Sequence, residues 1–205
     1  DGVNVAADPL FTFAYTGVNG GSVLVTADEP GMHSSQNEQD NRNYAKFAKI
    51  PMLEPSNSQE AKDMVKDAFD LSEEYDSIVL FRMTTRVCHS KGSVTLGDRI
   101  EVPIKKYEKN FDKYVSVPAI GRQLRHKVER RTNLLKEYTE TSKWNYAVNN
   151  KSKIGVIASG MSYEFAWEAL GETVDYLKLG FTYPLPRNLI DSFCEAHDTV
   201  YIIEE

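Results

Sequence analysis

Residues 22–49, SVLVTADEPGMHSSQNEQDNRNYAKFAK, change character twice. Residues 22–27 are a short, nearly continuous apolar run, the pattern of a strand covered on both faces. Residues 28–42 then carry Asp, Glu, His, Ser, Gln, Asn and Arg with almost nothing apolar, until Tyr44, Phe47 and Ala48 restore an apolar spacing. Open α/β sheets build sites this way, because ligands bind beyond the carboxyl ends of the strands. The stretch therefore points to an α/β fold and makes its polar loop the first candidate site.

The following residues extend the pattern. Residues 56–74 read as a helix: Ser56 and Gln59 suit a capping box, and Ala61, Met64, Val65, Ala68 and Phe69 recur every three or four residues. Residues 77–82, SIVLFR, are the next strand, so strand, loop, helix and strand make a parallel βαβ unit. The second strand also empties into polar residues, among them Arg82, Thr84, Thr85, Arg86, Cys88 and His89. Upstream, Asp8–Pro9 can start a helix, with Val5, Leu10, Phe13 and Ala14 near helical spacing.

Residues 92–152 are dense in Lys and Arg, and no strand pair stands out. Residues 101–118 read as an extended connector. Residues 121–139 read as a helix with Leu124, Val128, Arg131, Leu135 and Tyr138 on one side, and 149–153 as a polar linker. A second unit starts at Lys153: strand 154–159, a tight turn at Gly160, and helix 161–170 with Phe165, Ala166 and Ala169 inward. It continues with strand 173–179, a rigid loop over 181–186, helix 187–196 and strand 200–203. The expected architecture is α/β with two parallel-sheet units, residues 1–97 and 153–205, joined by a connector with a bracing helix over 98–152.

Composition narrows the functions. At 205 residues and 41% hydrophobic, the chain can bury a real core. A net charge of −6 argues against nonspecific binding to nucleic acid or acidic membranes. No apolar run approaches the roughly 18–20 residues of a membrane span. Cys88 and Cys194 stand far apart without CxxC spacing, which speaks against a zinc ribbon, an iron–sulfur ligand set or a disulfide framework in this chain. A reducing, cytoplasmic setting is expected. A first residue that is Asp and a last strand that stops at Glu205 suggest a piece of a longer polypeptide.

His33 is an imidazole suited to acid–base work near neutral pH, or a loop histidine bonded to backbone. With Asp28 and Glu29 nearby it makes a poor metal set. Glu38, Asp40 and Arg42 read as a salt-linked loop edge, or Arg42 as a clamp for an anionic carboxylate or phosphate. Arg82 and Arg86 converge on the same sheet edge and favour an anionic ligand or an interface. Gly160, between strand and helix, lacks the rest of a phosphate-binding glycine set and reads as a βα turn. The basic run Arg122, Arg125, His126, Lys127, Arg130 and Arg131 has no interleaved aromatics and reads as a solvated or partner-facing helix surface.

The runs GVNVAADPL, AYTGVNGG, ADEPGMHSSQNEQDNRNYAKFAKIPMLEPS, SIVLFRMTTRVCHSKG, KIGVIASGMSYEF and LKLGFTYPLPRNLIDSF resemble the thiamine-diphosphate-dependent 2-oxoacid:ferredoxin oxidoreductases, specifically the alpha subunits of the indolepyruvate type. The resemblance covers most of the chain, least distinctively over 98–150. It implies that the first unit is the later part of a thiamine pyrimidine-binding-type domain and the last the start of a transketolase C-terminal-like domain. It implies oxidative decarboxylation of aryl 2-oxoacids such as indolepyruvate to acyl-coenzyme A, with ferredoxin accepting the electrons. Thiamine diphosphate with Mg and 4Fe-4S clusters would serve the full protein, a beta subunit would be its partner, and the assembly would be a homo- or hetero-oligomer. It makes His33 and Arg42 catalytic candidates, and Ser35, Gln36, Asn37 and Glu38 the substrate- or cofactor-side loop. The chain lacks the family's segments for the cofactor-activating glutamate, the diphosphate and magnesium, and the cluster cysteines. By itself it is expected to be inactive and to bind no cofactor. The other reading is a noncatalytic module for subunit assembly.

Overall fold

In a computed structural model that describes residues 2–205, helices α1 (Gly2–Val5) and α2 (Ala7–Thr16) lead into strand β1 (Val23–Asp28). After the polar loop come α3 (Arg42–Ala48), β2 (Met52–Leu53), α4 (Ser58–Glu74), β3 (Val79–Thr84) and α5 (Thr85–His89). Residues 91–110 are exposed and carry no helix or strand. Then follow α6 (Phe111–Tyr114), α7 (Pro118–Thr139), β4 (Asn145–Val148), β5 (Ile154–Ser159), α8 (Gly160–Leu170), β6 (Asp175–Leu179), β7 (Phe181–Tyr183), α9 (Arg187–Glu195) and β8 (Thr199–Ile203).

The fold is α/β with two four-stranded sheets, ordered β1-β3-β2-β7 and β4-β6-β5-β8. β1, β3 and β2 are parallel, as are β6, β5 and β8. Each sheet adds one antiparallel strand: β7 against β2, and β4 against β6.

Strand alternation explains the two cores of the first half. In register, Leu24 lies beside Leu80, and Leu80 beside Met52. That face packs on Leu10 and Ala14 of α2, Ala45 and Ala48 of α3, and Ile50. Val79, Phe81 and Leu53 point the other way, onto Met64, Ala68 and Leu71 of α4, Leu135 of α7 and Phe181 of β7. In the second half, Val156, Ala158 and Tyr176 pack with Ala166 of α8, while Ile157, Leu177 and Leu179 pack with Phe193 of α9. The inner strands β3, β5 and β6 are covered on both faces and read as near-continuous apolar runs; β1, expected to be covered on both faces, is an edge strand that leaves Val25 57% exposed.

The structure departs from the sequence reading at several points. The α4 cap sits one residue later: Asn57 accepts from the Glu60 amide, and Glu60 accepts from the Ser56 amide. The returning carboxylate thus reaches one residue beyond the N-cap amide that a capping box would bond. Phe69 and, on α8, Phe165 and Ala169 face outward. α7 begins at Pro118, a residue pre-set for the first helical position. Within the supposed basic face, Arg131 turns inward and donates to the backbone carbonyls of Asp76 and Ala14, each at 2.8 Å. Burial brings its guanidinium down to about 10. β4 and β7 occupy stretches read as connector and rigid loop. Both are short edge strands whose partners lie far away in sequence, so no local pattern announces them.

Candidate functional site

Along the inner face of the first sheet, rows run from apolar to polar. Leu24, Leu80 and Met52 form one row; two residues on, Thr26 lies beside Arg82, and Glu54 follows β2. Asp28 and Thr84 form the next. A charged pair or triad at such a position survives burial only if its members neutralise one another. Arg82, 3% exposed, does this: its Nε donates to Asp28 Oδ2 and its Nη1 to Glu54 Oε2 at 2.9 Å. Burial pushes the Asp28 carboxyl up, against the pull of Arg82 and the Asn41 amide. Burial also works to lower the Arg82 guanidinium, but Glu54 and Asp28 outweigh it and hold the cation above its ordinary value.

The polar loop leaves from this row. Its neck is closed by the Asn41 amide donating to Asp28 Oδ2 at 2.7 Å and the Gln39 amide donating to Glu29 O at 3.3 Å. Inside the loop, Glu29 accepts from the Ser34 amide, the Ser34 hydroxyl at 2.9 Å and the Ser35 hydroxyl. The Ser35 and Ser34 bonds hold the Glu29 carboxyl below the usual range. Gln39 Nε2 donates to Asn37 Oδ1 at 2.7 Å. The loop is thus tied to itself.

The sequence candidates fall into two groups here. His33, Gln36, Asn37 and Glu38 lie on the exposed tip, and Ser35 is half-buried through Glu29. Arg42 stands at the loop's end, where its fork grips Asp40 (Nε–Oδ1 2.9 Å, Nη2–Oδ2 3.0 Å) and its Nη1 reaches Glu204 at 3.4 Å. Those Asp40 bonds first, and the nearby acids second, raise the Arg42 guanidinium. The structure does not bring His33 and Arg42 into contact, and the anions expected for Arg82 and Arg86 turn out to be the chain's own carboxylates.

The second half supplies one of them, Glu205. Thr84 donates to Glu205 Oε2 at 2.8 Å, and Arg86 contacts Glu205 Oε1 at 3.4 Å while lying over the Phe165 ring at 5.5 Å. Thr182 of β7 donates to Glu54 Oε1 at 2.9 Å. Gly160, with φ +54, makes the turn into α8, and Glu54 Oε2 lies 3.9 Å from where its Cβ would stand. The carboxyl ends of both sheets therefore share one rim. Beside it a cleft of about 1100 Å³ is lined by Met52, Glu54, Leu179, Tyr183 and Ile190, with Arg42 and Glu204 among its charged residues. Sequence reasoning missed Glu54, Thr182, Glu204 and Glu205, and took Asp28 only as a weak metal ligand. The available signal was a polar residue closing each apolar strand, as in VLVTAD and PMLE.

No family model matches the chain. Over its whole length it is 45% identical, across 210 residues, to the indolepyruvate oxidoreductase subunit IorA of Methanothermobacter marburgensis. It is 44% identical to the same subunit of Archaeoglobus fulgidus, across 212 residues, and of Pyrococcus horikoshii, across 216. The chain spans about a third of the length of these curated relatives, 34% of the first two. Among solved structures it is similar to a 2-oxoglutarate:ferredoxin oxidoreductase from Magnetococcus marinus with 2-oxoglutarate, coenzyme A and succinyl-CoA bound. The TM-score is 0.64 at 14% identity, over 98% of this chain and 44% of that one, a likeness of fold.

Proposed function

The chain belongs to the indolepyruvate oxidoreductase IorA subunit family, and from that premise we propose that it forms part of the reacting rim of an enzyme that oxidatively decarboxylates an aryl 2-oxoacid. In the full reaction the 2-oxoacid loses carbon dioxide, its acyl carbon bonds to the sulfur of coenzyme A, and one proton is released. Two electrons leave singly, to two ferredoxins. The observation that carries the reading is the identity to the IorA subunits over the entire chain.

Within that reaction the chain's own residues have binding and orienting work. Ser35, Gln36 and Asn37 offer hydroxyl and amide groups of the kind that orient a carbonyl or carboxylate. His33 offers an imidazole at the same tip for holding or moving a proton. Arg42 places a cation at the loop's end, already balanced by Asp40. A beta subunit, ferredoxin and coenzyme A are the partners this reading calls for.

Among the described residues, no group of three or more His, Cys, Asp or Glu side chains could hold a metal ion, and the free cysteines Cys88 and Cys194 sit on different halves. The magnesium that holds thiamine diphosphate and the 4Fe-4S clusters do not fit the described residues of this chain.

The full-length subunit, purified with its partner subunit, is expected to reduce ferredoxin in a manner dependent on indolepyruvate and coenzyme A. His33→Ala and Arg42→Ala should each cut kcat by about 100-fold or more, the usual scale for removing a proton-transfer or orienting group, with assembly unchanged by gel filtration. Lost assembly with normal turnover per assembled complex would instead mark the loop as a subunit-docking element.

A further inference from the structure

The buried cation at the centre of the rim has a particular pattern of partners. Asp28 and Glu54, the two carboxylates on Arg82, are each also bonded to another part of the rim. Asp28 Oδ2 takes the Asn41 amide at 2.7 Å, at the exit of the polar loop. Glu54 takes the Thr182 hydroxyl at 2.9 Å, from the strand the second half contributes to the first sheet. Any buried carboxylate needs donors for its remaining lone pairs; here the donors belong to the loop exit and to β7. Asp28 ends β1, Glu54 follows β2 and Arg82 lies in β3 between them, so the cation spans the sheet's parallel part.

We propose that Arg82 is a positioning residue: through Asp28 it sets the neck of the 29–41 loop, and through Glu54 it sets that neck's register against β7. Arg82 itself, almost fully buried, touches no reactant. Its guanidinium suits the task because a planar fork holds two carboxylates at a fixed angle, which an ammonium cannot. Without the cation two neighbouring carboxylates would be buried unpaired, and one would take up a proton. A protonated Asp28 is a weaker acceptor for the Asn41 amide, so the loop would lose its anchor before the sheet lost its core. Only the consequence for turnover rests on the functional reading above.

The test uses the full-length subunit assembled with its partner. Arg82→Lys keeps the charge and removes the fork. Amides of residues 29–42 are expected to exchange hydrogen about tenfold faster or more, the equilibrium factor matching loss of a hydrogen bond to a charged group, while α4 and β5 exchange as in the parent. kcat should fall by about tenfold, with KM for the 2-oxoacid within about twofold, since misplacement of reacting groups costs rate more than binding. Should Arg82→Lys fail to assemble, Glu54→Gln, which leaves the Asp28–Asn41 bond in place, carries the same readouts. Unchanged exchange in the loop, or faster exchange spread evenly over all elements, would show Arg82 to be a core ion pair and overturn the proposal. A parent enzyme that turns over no aryl 2-oxoacid would sink the functional reading, and the exchange measurement would still decide the role of Arg82.

Discussion

Asn145, 6% exposed, is the most fully committed polar side chain at the joint between the halves. Its amide nitrogen donates to the carbonyls of Thr139 and Phe181 and to Thr139 Oγ1, and its oxygen accepts the amides of Gly180 and Phe181. Asn145→Asp exchanges two donors for an acceptor facing two carbonyls. It should cost about 3 kcal/mol or more, as a buried polar group left unpaired does, read from the midpoint of urea unfolding. No feature of the sequence near Asn145 marks it, because its partners Gly180 and Phe181 lie 35 and 36 positions away. Arg82 was partly legible. A charge ending the SIVLFR run pointed to the rim, but its burial depended on Asp28 and Glu54, 54 and 28 positions off. Local spacing reports which face a residue takes and is silent on which distant charge will meet it.

At the level of elements, the long helices were read best, since each carries its own period; α5 and α6, of five and four residues, lay in stretches read as a polar segment and an extended connector. α4 and α7 emerged from spacing, with errors at their first turns: at α4 Asn57 caps in place of Ser56, and at α7 Pro118, read as the end of the connector, opens the helix. β4 and β7 stayed hidden because an edge strand of three or four residues is stabilised by its neighbour rather than by its own pattern. Asp76 shows how a single turn can hold several elements. Its carboxylate takes the Val18 amide at 2.7 Å, Lys113 Nζ of α6 at 2.7 Å, and Lys127 Nζ of α7. Burial pushes this carboxyl up, yet the two lysines and the amide outweigh it and hold it below its ordinary value. A carboxyl lowered in the folded state adds stability above its unfolded value, and that stability is lost as pH falls through the folded one. Asp76→Asn, which tolerates the same positive φ of 50, should therefore destabilise by about 1–2 kcal/mol at pH 7. The difference should vanish in acid, when parent and variant are unfolded by denaturant at both extremes.

On the scale of the whole molecule, the halves are stitched together at several places. β7 completes the first sheet, Leu135 and Phe181 fill its second core, and buried Lys178 of β6 pairs with Glu60 of α4 between the rings of Tyr146 and Tyr163. Burial lowers the Lys178 ammonium, against the pull of Glu60. Residues 2–97 expressed alone should consequently show no cooperative thermal transition by circular dichroism, while residues 2–205 should give one transition with matching calorimetric and van't Hoff enthalpies. Two separate transitions in the longer chain would mean that the halves fold independently.

Between β6 and β7 stands one residue, Gly180, whose missing Cβ would lie 2.8 Å from the Trp144 carbonyl oxygen. So short a coupling leaves no slack. A ligand that tilts one sheet must lever the other through that point, and movement during a reaction cycle would be geared across the molecule like two plates on a common rivet.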